Sequence, residues 1–281
     1  MRKEQLLGSN YHYTKHPLSY FVDSMKRMGI GHIEFYGASP HMYVDDYTMG
    51  QARSVKRMLD TAGIQVECFT SEQCAYPISC SISDPVMRER SLKYYEKALE
   101  LSYALGSPIM QMMAGLSLIE DDKKEAWKRA TEGIYRVCKK AETLGMTIIL
   151  EADPVCTVAN AFDIRRMLDE LQMPVLKGML DFNQIYNGKE DFEEAVDVLK
   201  EDLYHVHIND ATPDAFCLIP GHGEIPLMKY FEILDKKGYS RFVSPELWGT
   251  RYAMAADEAM EEIIEYFGNY LRSTKQSKEA V

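Results

Sequence analysis

One rhythm constrains this chain more than anything else in it. A short apolar run leads into polar residues, and an amphipathic helical stretch follows, often closed by glycine. "GHIEFYG" (31–37) reads as a strand, and the helix "YTMGQARSVKRMLDTAG" ends at Gly63. "IQVECFT" (64–70) is the next strand, before a long helix ending at Gly106. "PIMQMMAG" (108–115) and the helix stopped by Gly145 form another unit. The strands "MTIILE" (146–151), "VLKGMLD" (175–181), "LYHVHIND" (203–210) and "RFVSPEL" (241–247) each precede a helix, the last being "AADEAMEEIIEYFGNYLRS". A strand near "LLGSNYHY" and the helix "LSYFVDSMKRMG" bring the total to eight βα units. Near-continuous apolar strands alternating with helices imply a parallel sheet covered on both faces. Eight such units in 281 residues fit a (β/α)8 TIM barrel better than a doubly wound sheet. The expected organisation is a single barrel domain over residues 1–272 and a flexible tail over 273–281.

Composition narrows the partners. The formal net charge is −11, and no basic cluster interrupts it. Such a chain repels phosphate backbones and anionic lipid, so nucleic acid is not an expected partner. No segment approaches the ~20 apolar residues of a membrane span, and the start "MRKEQLLGSN" lacks the apolar core of a signal peptide. The six cysteines form no C-x-x-C pair and no recognisable disulfide or zinc spacing. Reduced thiols in a cytoplasmic protein are the expectation.

In a barrel of this kind, chemistry sits where strands end at their carboxyl side. The last four strands close on Glu151, Asp181, His207 and Glu246. Any one of these acids is readily explained as a helix cap. Four polar residues from neighbouring units, three acids and one histidine, each closing a buried strand, call for partners or a cation. Three carboxylates and one imidazole suit Mn²⁺, Mg²⁺ or Co²⁺ better than a structural zinc. Four protein ligands leave about two open positions on an octahedral ion. His205 lies two residues earlier on the His207 strand, about 6.6 Å deeper, and reads as a buried, hydrogen-bonded neighbour rather than a ligand. His222, in "IPGHGEIP", either reaches substrate or stays solvated. Trp248 and Arg251, in "ELWGTRY", either wall the pocket or pack against a loop. His41 is open to the same two readings, while Met112 and Met113 read as core.

The stretches "HIEFYGASPH", "FTSEQCAYPI", "IILEADP", "HVHIND", "IPGHGEIP" and "ELWGTRY" together resemble the sugar isomerase/epimerase superfamily of xylose-isomerase-like barrels. The likeness is greatest to its fructoselysine 3-epimerase branch. This resemblance implies the same four metal ligands, with Glu151 and Glu246 on opposite faces of the substrate carbon. It implies a small-molecule sugar substrate, a homo-oligomer, and proton abstraction beside a ketone through an enediolate, the ion polarising the C2 carbonyl. One glutamate would remove the C3 proton and the other return one to the opposite face.

Departures from the ketohexose 3-epimerases are specific. Gln184 stands where they have a histidine, Pro213 where they have an arginine, and Thr157 where they have a second glutamate. Met113 stands at another histidine position. Those residues grip a free hexose, so the departures point to a substituted, fructoselysine-like ketose. Gln184, His222 and Arg251 are the candidate substrate contacts. The rival reading is a lyase subunit of the C-glycoside deglycosidase kind, acting on an oxidised sugar. A phosphodiesterase of the related endonuclease barrels would need more histidines and a basic face. A non-enzymatic sugar-binding barrel would need no glutamate pair.

Overall fold

The computed structural model describes the chain except for Ala75, Tyr76, Ala280, Val281 and the side chains of residues 275–279. Eight parallel strands form the sheet: β1 (Gly8–Ser9), β2 (His32–Gly37), β3 (Gln65–Ser71), β4 (Ile109–Met113), β5 (Thr147–Glu151), β6 (Leu176–Asp181), β7 (Leu203–Ile208) and β10 (Val243–Pro245). They pair in chain order, with β10 beside β7. Leu7 N donates to Val243 O at 2.9 Å, and Ser9 Oγ donates to Pro245 O at 2.5 Å. These contacts bring the first strand to the last and close the barrel, as the eight-unit rhythm requires.

The helices are bounded by residues suited to the task. Asp84 caps α3 (Pro85–Leu105), and its side chain accepts from Met87 N. Asp122 caps α4 (Lys123–Leu144) in the same way. Gly106 and Gly145 end these helices in the left-handed region, where a side chain would be strained. Helices α1 (Leu18–Met28), α2 (Met49–Ala62), α5 (Ala161–Leu171), α7 (Phe192–Leu199), α8 (Leu227–Lys236) and α9 (Ala256–Glu279) complete the outer ring. One large buried cluster fills the space between helices and strands.

Strand alternation sorts the barrel interior into layers. Cys68, Ile149 and Met179 form a separate small apolar cluster. Two residues further along their strands stand Thr70, Glu151 and Asp181. An apolar floor therefore lies beneath a polar layer at the barrel mouth.

Two short elements were not expected from the sequence. The stretch "IND" does not simply prolong β7. A separate antiparallel hairpin, β8 (Asp210–Thr212) with β9 (Ala215–Leu218), follows it, and Pro213 sits in its turn. A short helix, α6 (Phe182–Gly188), begins immediately after Asp181 and precedes α7. Helix α9 continues to Glu279 through most of the segment read as a tail, and the last two residues of that segment lie outside the described ones.

Candidate metal centre and active site

Glu151 ends β5, Asp181 ends β6, His207 is near the end of β7 and Glu246 follows β10. One ligand atom from each lies within 4.8 Å of the others. The first three are buried, and Glu246 is half-buried. The four residues singled out at strand ends thus converge on one point above the apolar floor.

Each side chain is held from behind. Asp181 Oδ1 accepts from Gln184 N at 2.8 Å, capping α6, while its Oδ2 accepts from Asn209 Nδ2 at 2.7 Å. Capping and cluster membership are therefore not alternatives for Asp181, because its two oxygens divide the work. Asn209 Nδ2 also reaches Glu246 Oε2 at 3.4 Å. Glu151 accepts from Gln111 Nε2, Gln111 Oε1 accepts from Gln73 Nε2 at 2.5 Å, and Tyr95 donates to Gln73. This chain of amides aims the Glu151 carboxylate across the mouth.

The electrostatics of the cluster are unfavourable without a cation. Burial, reinforced by Glu246 and Asp181, holds the Glu151 carboxyl well above its ordinary range. Burial and the charge of Glu246 push Asp181 up to about 8. Burial opposes charge on His207, but Glu34 and Glu246 outweigh it and raise His207 well above the usual imidazole range. His207 Nδ1 has no hydrogen-bond partner, although it is buried 3.7 Å from Asp181 Oδ2 and 3.6 Å from Glu246 Oε2. A buried nitrogen facing two carboxylates across gaps of this size, with Glu151 in the same cluster, fits a divalent ion between them.

A cleft opens above the cluster. Tyr11, Tyr36 and Trp248 form its aromatic side, and Tyr11 and Tyr36 stack at 4.4 Å between ring centroids. Trp248 Nε1 donates to Tyr36 O–H at 3.0 Å, and Tyr36 donates to Glu72. Gln184 lines the cleft and donates from Nε2 to Asp153 Oδ2 at 3.0 Å. No lysine, arginine or histidine lines it among the described residues.

The other two candidate contacts are placed elsewhere. His222 Nε2 pairs with Glu262 Oε2 at 3.0 Å, which draws the half-exposed ring outward to α9. Arg251 is exposed in the turn after β10, and neither residue borders the cleft. His41 is buried and bonded through both ring nitrogens, to Asn10 Nδ2 and His16 O. Met113 does line the cleft, and its backbone binds Gln73 and Tyr95. Thr157 lies to the side, in a surface hollow with Trp127 and Arg166. Pro213 is exposed at the hairpin turn.

Sequence reasoning missed Glu34. It is fully buried on β2 and hydrogen-bonded to both His205 and His207. The available signal was a single acid inside the apolar run "HIEFYG". Asn209 was also legible in principle, since period-two spacing from His205 and His207 places it on the same side.

A parallel eight-stranded barrel with a carboxylate–imidazole cluster at the carboxyl ends of its strands defines a class of TIM-barrel protein with a candidate metal site at its mouth. More particularly, the chain belongs to the Xylose isomerase-like TIM barrel family, whose profile matches residues 22–270. It is 26% identical over 239 residues to fructoselysine 3-epimerase of Escherichia coli O157:H7, covering 82% of this chain and 86% of that one. Among solved structures, that of L-ribulose 3-epimerase superposes with a TM-score of 0.80 at 16% identity, covering 98% and 97% of the two chains. The IOLI protein, solved with a zinc atom, gives 0.78 at 17% identity, covering 96% and 98%. No helix among the described residues is long and apolar enough to cross a membrane.

Proposed function

We propose that this protein is a divalent-metal-dependent sugar epimerase or isomerase that moves a proton at C3 of a ketose or substituted ketose. The observation that carries this reading is the convergence of Glu151, Asp181, His207 and Glu246, with the His207 Nδ1 lone position turned into the cluster. These four residues would hold the ion, Mn²⁺ ahead of Mg²⁺ or Co²⁺ on the donor set. When bound, such an ion supplies Lewis-acid polarisation of adjacent substrate oxygens.

The chain's own groups do the rest. Glu151 and Glu246 stand at the two ends of the run β5–β6–β7–β10, flanking Asp181 and His207. Two carboxylates on opposite flanks of one carbon are what inversion needs: one takes the C3 proton and the other delivers a proton to the opposite face. Glu151 is fixed by Gln111, so its oxygen is oriented before substrate arrives. The aromatic side offers flat surfaces to a sugar ring or chain. Glu72 and Asp153 add acidic groups to the cleft lining, and no lysine, arginine or histidine lines it among the described residues. That favours a ketose with a neutral or cationic substituent, as in a fructose–amine adduct, and disfavours a phosphorylated sugar. The fructoselysine 3-epimerase relative supports the same substrate class.

Incubation with Mn²⁺ and fructoselysine should yield the C3 epimer, and chelation should abolish it. Release of an aglycone from a 3-oxo-glycoside, with no epimer formed from any ketose, would overturn this reading in favour of a lyase.

A further inference from the structure

Glu34 lies in the middle of the barrel, fully buried, and no lysine or arginine among the described residues is hydrogen-bonded to it. Burying a carboxylate this deeply is costly unless every lone pair is used. Here they are. Oε1 accepts from Tyr11 O–H at 2.9 Å, from Thr70 Oγ1 at 2.6 Å and from His207 Nε2 at 3.0 Å. Oε2 accepts from His205 Nε2 at 2.8 Å, from His207 Nε2 at 3.1 Å and from Ser244. The donors come from the segment after β1 and from β3, β7 and β10, so much of the barrel wall is arranged around one side chain.

The geometry of His207 gives the reason for this outlay. The hydroxyls of Tyr11, Thr70 and Ser244 donate to the two Glu34 oxygens, so the carboxyl group acts as an acceptor and the ring nitrogen facing it carries the hydrogen. That nitrogen is Nε2, and Nδ1 is left pointing at Asp181 and Glu246 without a partner. A ring turned over would place Cδ2–H where Nδ1 now stands, and the other tautomer would point an Nδ1–H at those carboxylates; either would remove the lone pair a cation needs. We propose that Glu34 is a positioning residue, which holds the His207 ring with Nε2–H inward so that Nδ1 is presented as the nitrogen ligand of the cation site. This rests on the reading of the four-residue cluster as a cation site. Glu34, His205 and His207 also approach within 4.8 Å of one another, as a second cation site would. The donors already crowding both Glu34 oxygens leave no lone pair for one.

The test uses the full chain, stripped of metal and titrated with Mn²⁺ alone, in wild type, Glu34→Gln and Glu34→Asp. ¹⁵N-histidine spectra of the Mg²⁺-loaded protein provide a readout that general loosening would not mimic. Wild type should bind one Mn²⁺ per chain and show a hydrogen-bonded Nε2–H proton on His207. Glu34→Gln should weaken Mn²⁺ binding roughly ten- to a hundredfold and shift or lose that proton signal. Glu34→Asp, which keeps the charge, should recover part of the affinity, and it serves as the test if the glutamine variant does not fold. Wild-type affinity with an unchanged His207 signal in the variant would overturn the role of Glu34 while leaving the cation site standing. A wild-type protein that binds no Mn²⁺ would overturn the cation site itself, and two ions per chain would overturn the assignment in favour of a second site.

Discussion

At the scale of single residues, the groups that move a proton are distinct from the groups that aim them. Glu151→Gln and Glu246→Gln each keep the shape of the cluster but remove a base. Each should lower the epimerisation rate by roughly 10²- to 10⁴-fold, the range for one acid–base group. Equal activity in either variant, read under Mn²⁺ saturation, would remove that residue from the mechanism. Away from the site, His12 is fully buried. Burial lowers it from 6.5 to about 4. The unfolded chain therefore binds a proton between those values that the folded protein refuses. The stability His12 contributes is complete above pH 6.5 and is lost as pH falls toward 4, by roughly 3 kcal/mol in total. Denaturant melts at pH 7 and pH 4.5 should show a smaller acid loss in His12→Gln than in wild type. Legibility at this scale was uneven. Glu151, Asp181, His207 and Glu246 could be read from the sequence because barrel strands end where chemistry collects. Glu34 could not, because a strand buried on both faces gives no alternation to show which side an acid takes. Nor does the local sequence reveal that His222 is captured by Glu262, forty residues away on α9.

At the scale of elements, what positions the mouth is a set of caps and loops. The Asp210 carboxylate gathers backbone N–H groups from Gly221 and Gly223 at 2.9 Å each and from Ile225 at 3.0 Å. This folds "IPGHGEIP" back over β8. At Gly223 a Cβ would strike Asp210 Oδ1 and the Ala211 carbonyl and lie 2.7 Å from Ala211 N. Gly223→Ala should therefore cost about 1–3 kcal/mol in a urea melt. Gly31→Ala, whose Cβ would meet only Gly63 O at 3.6 Å, should change little by comparison. The strands and long helices were legible because their apolar periods and glycine stops agree with one another. The β8–β9 hairpin and α6 were not. Each is only a few residues long, and each is set by a contact distant in sequence, such as Asn209 Oδ1 accepting from Asn183 N at 2.9 Å.

At the scale of the whole molecule, the closed sheet brings residues from both ends of the chain to one floor and one mouth. The apolar layer of Cys68, Ile149 and Met179 lies beneath the charged layer, so the cluster is held in a low-dielectric setting where a cation matters most. A ligand that binds only the folded barrel stabilises it by mass action. Mn²⁺ at about 100 times its Kd should add about 2.7 kcal/mol and raise the melting temperature by several degrees, an effect reversed by chelator. No Mn²⁺-dependent shift would count against the cation site. The lining of the cleft, acidic and without lysine, arginine or histidine among the described residues, further predicts that fructose phosphates are turned over much more slowly than fructoselysine, as judged by kcat/KM. The central claim, proton movement at C3 by this cluster, is tested most directly by isotope exchange. The protein is incubated with Mn²⁺ in D₂O together with fructoselysine, fructose, psicose or tagatose, and C3 is examined by NMR. Deuterium should enter at C3 of at least one ketose and should fail to do so in Glu151→Gln. Absence of exchange into every one of these ketoses by the Mn²⁺-loaded wild-type protein would contradict the account.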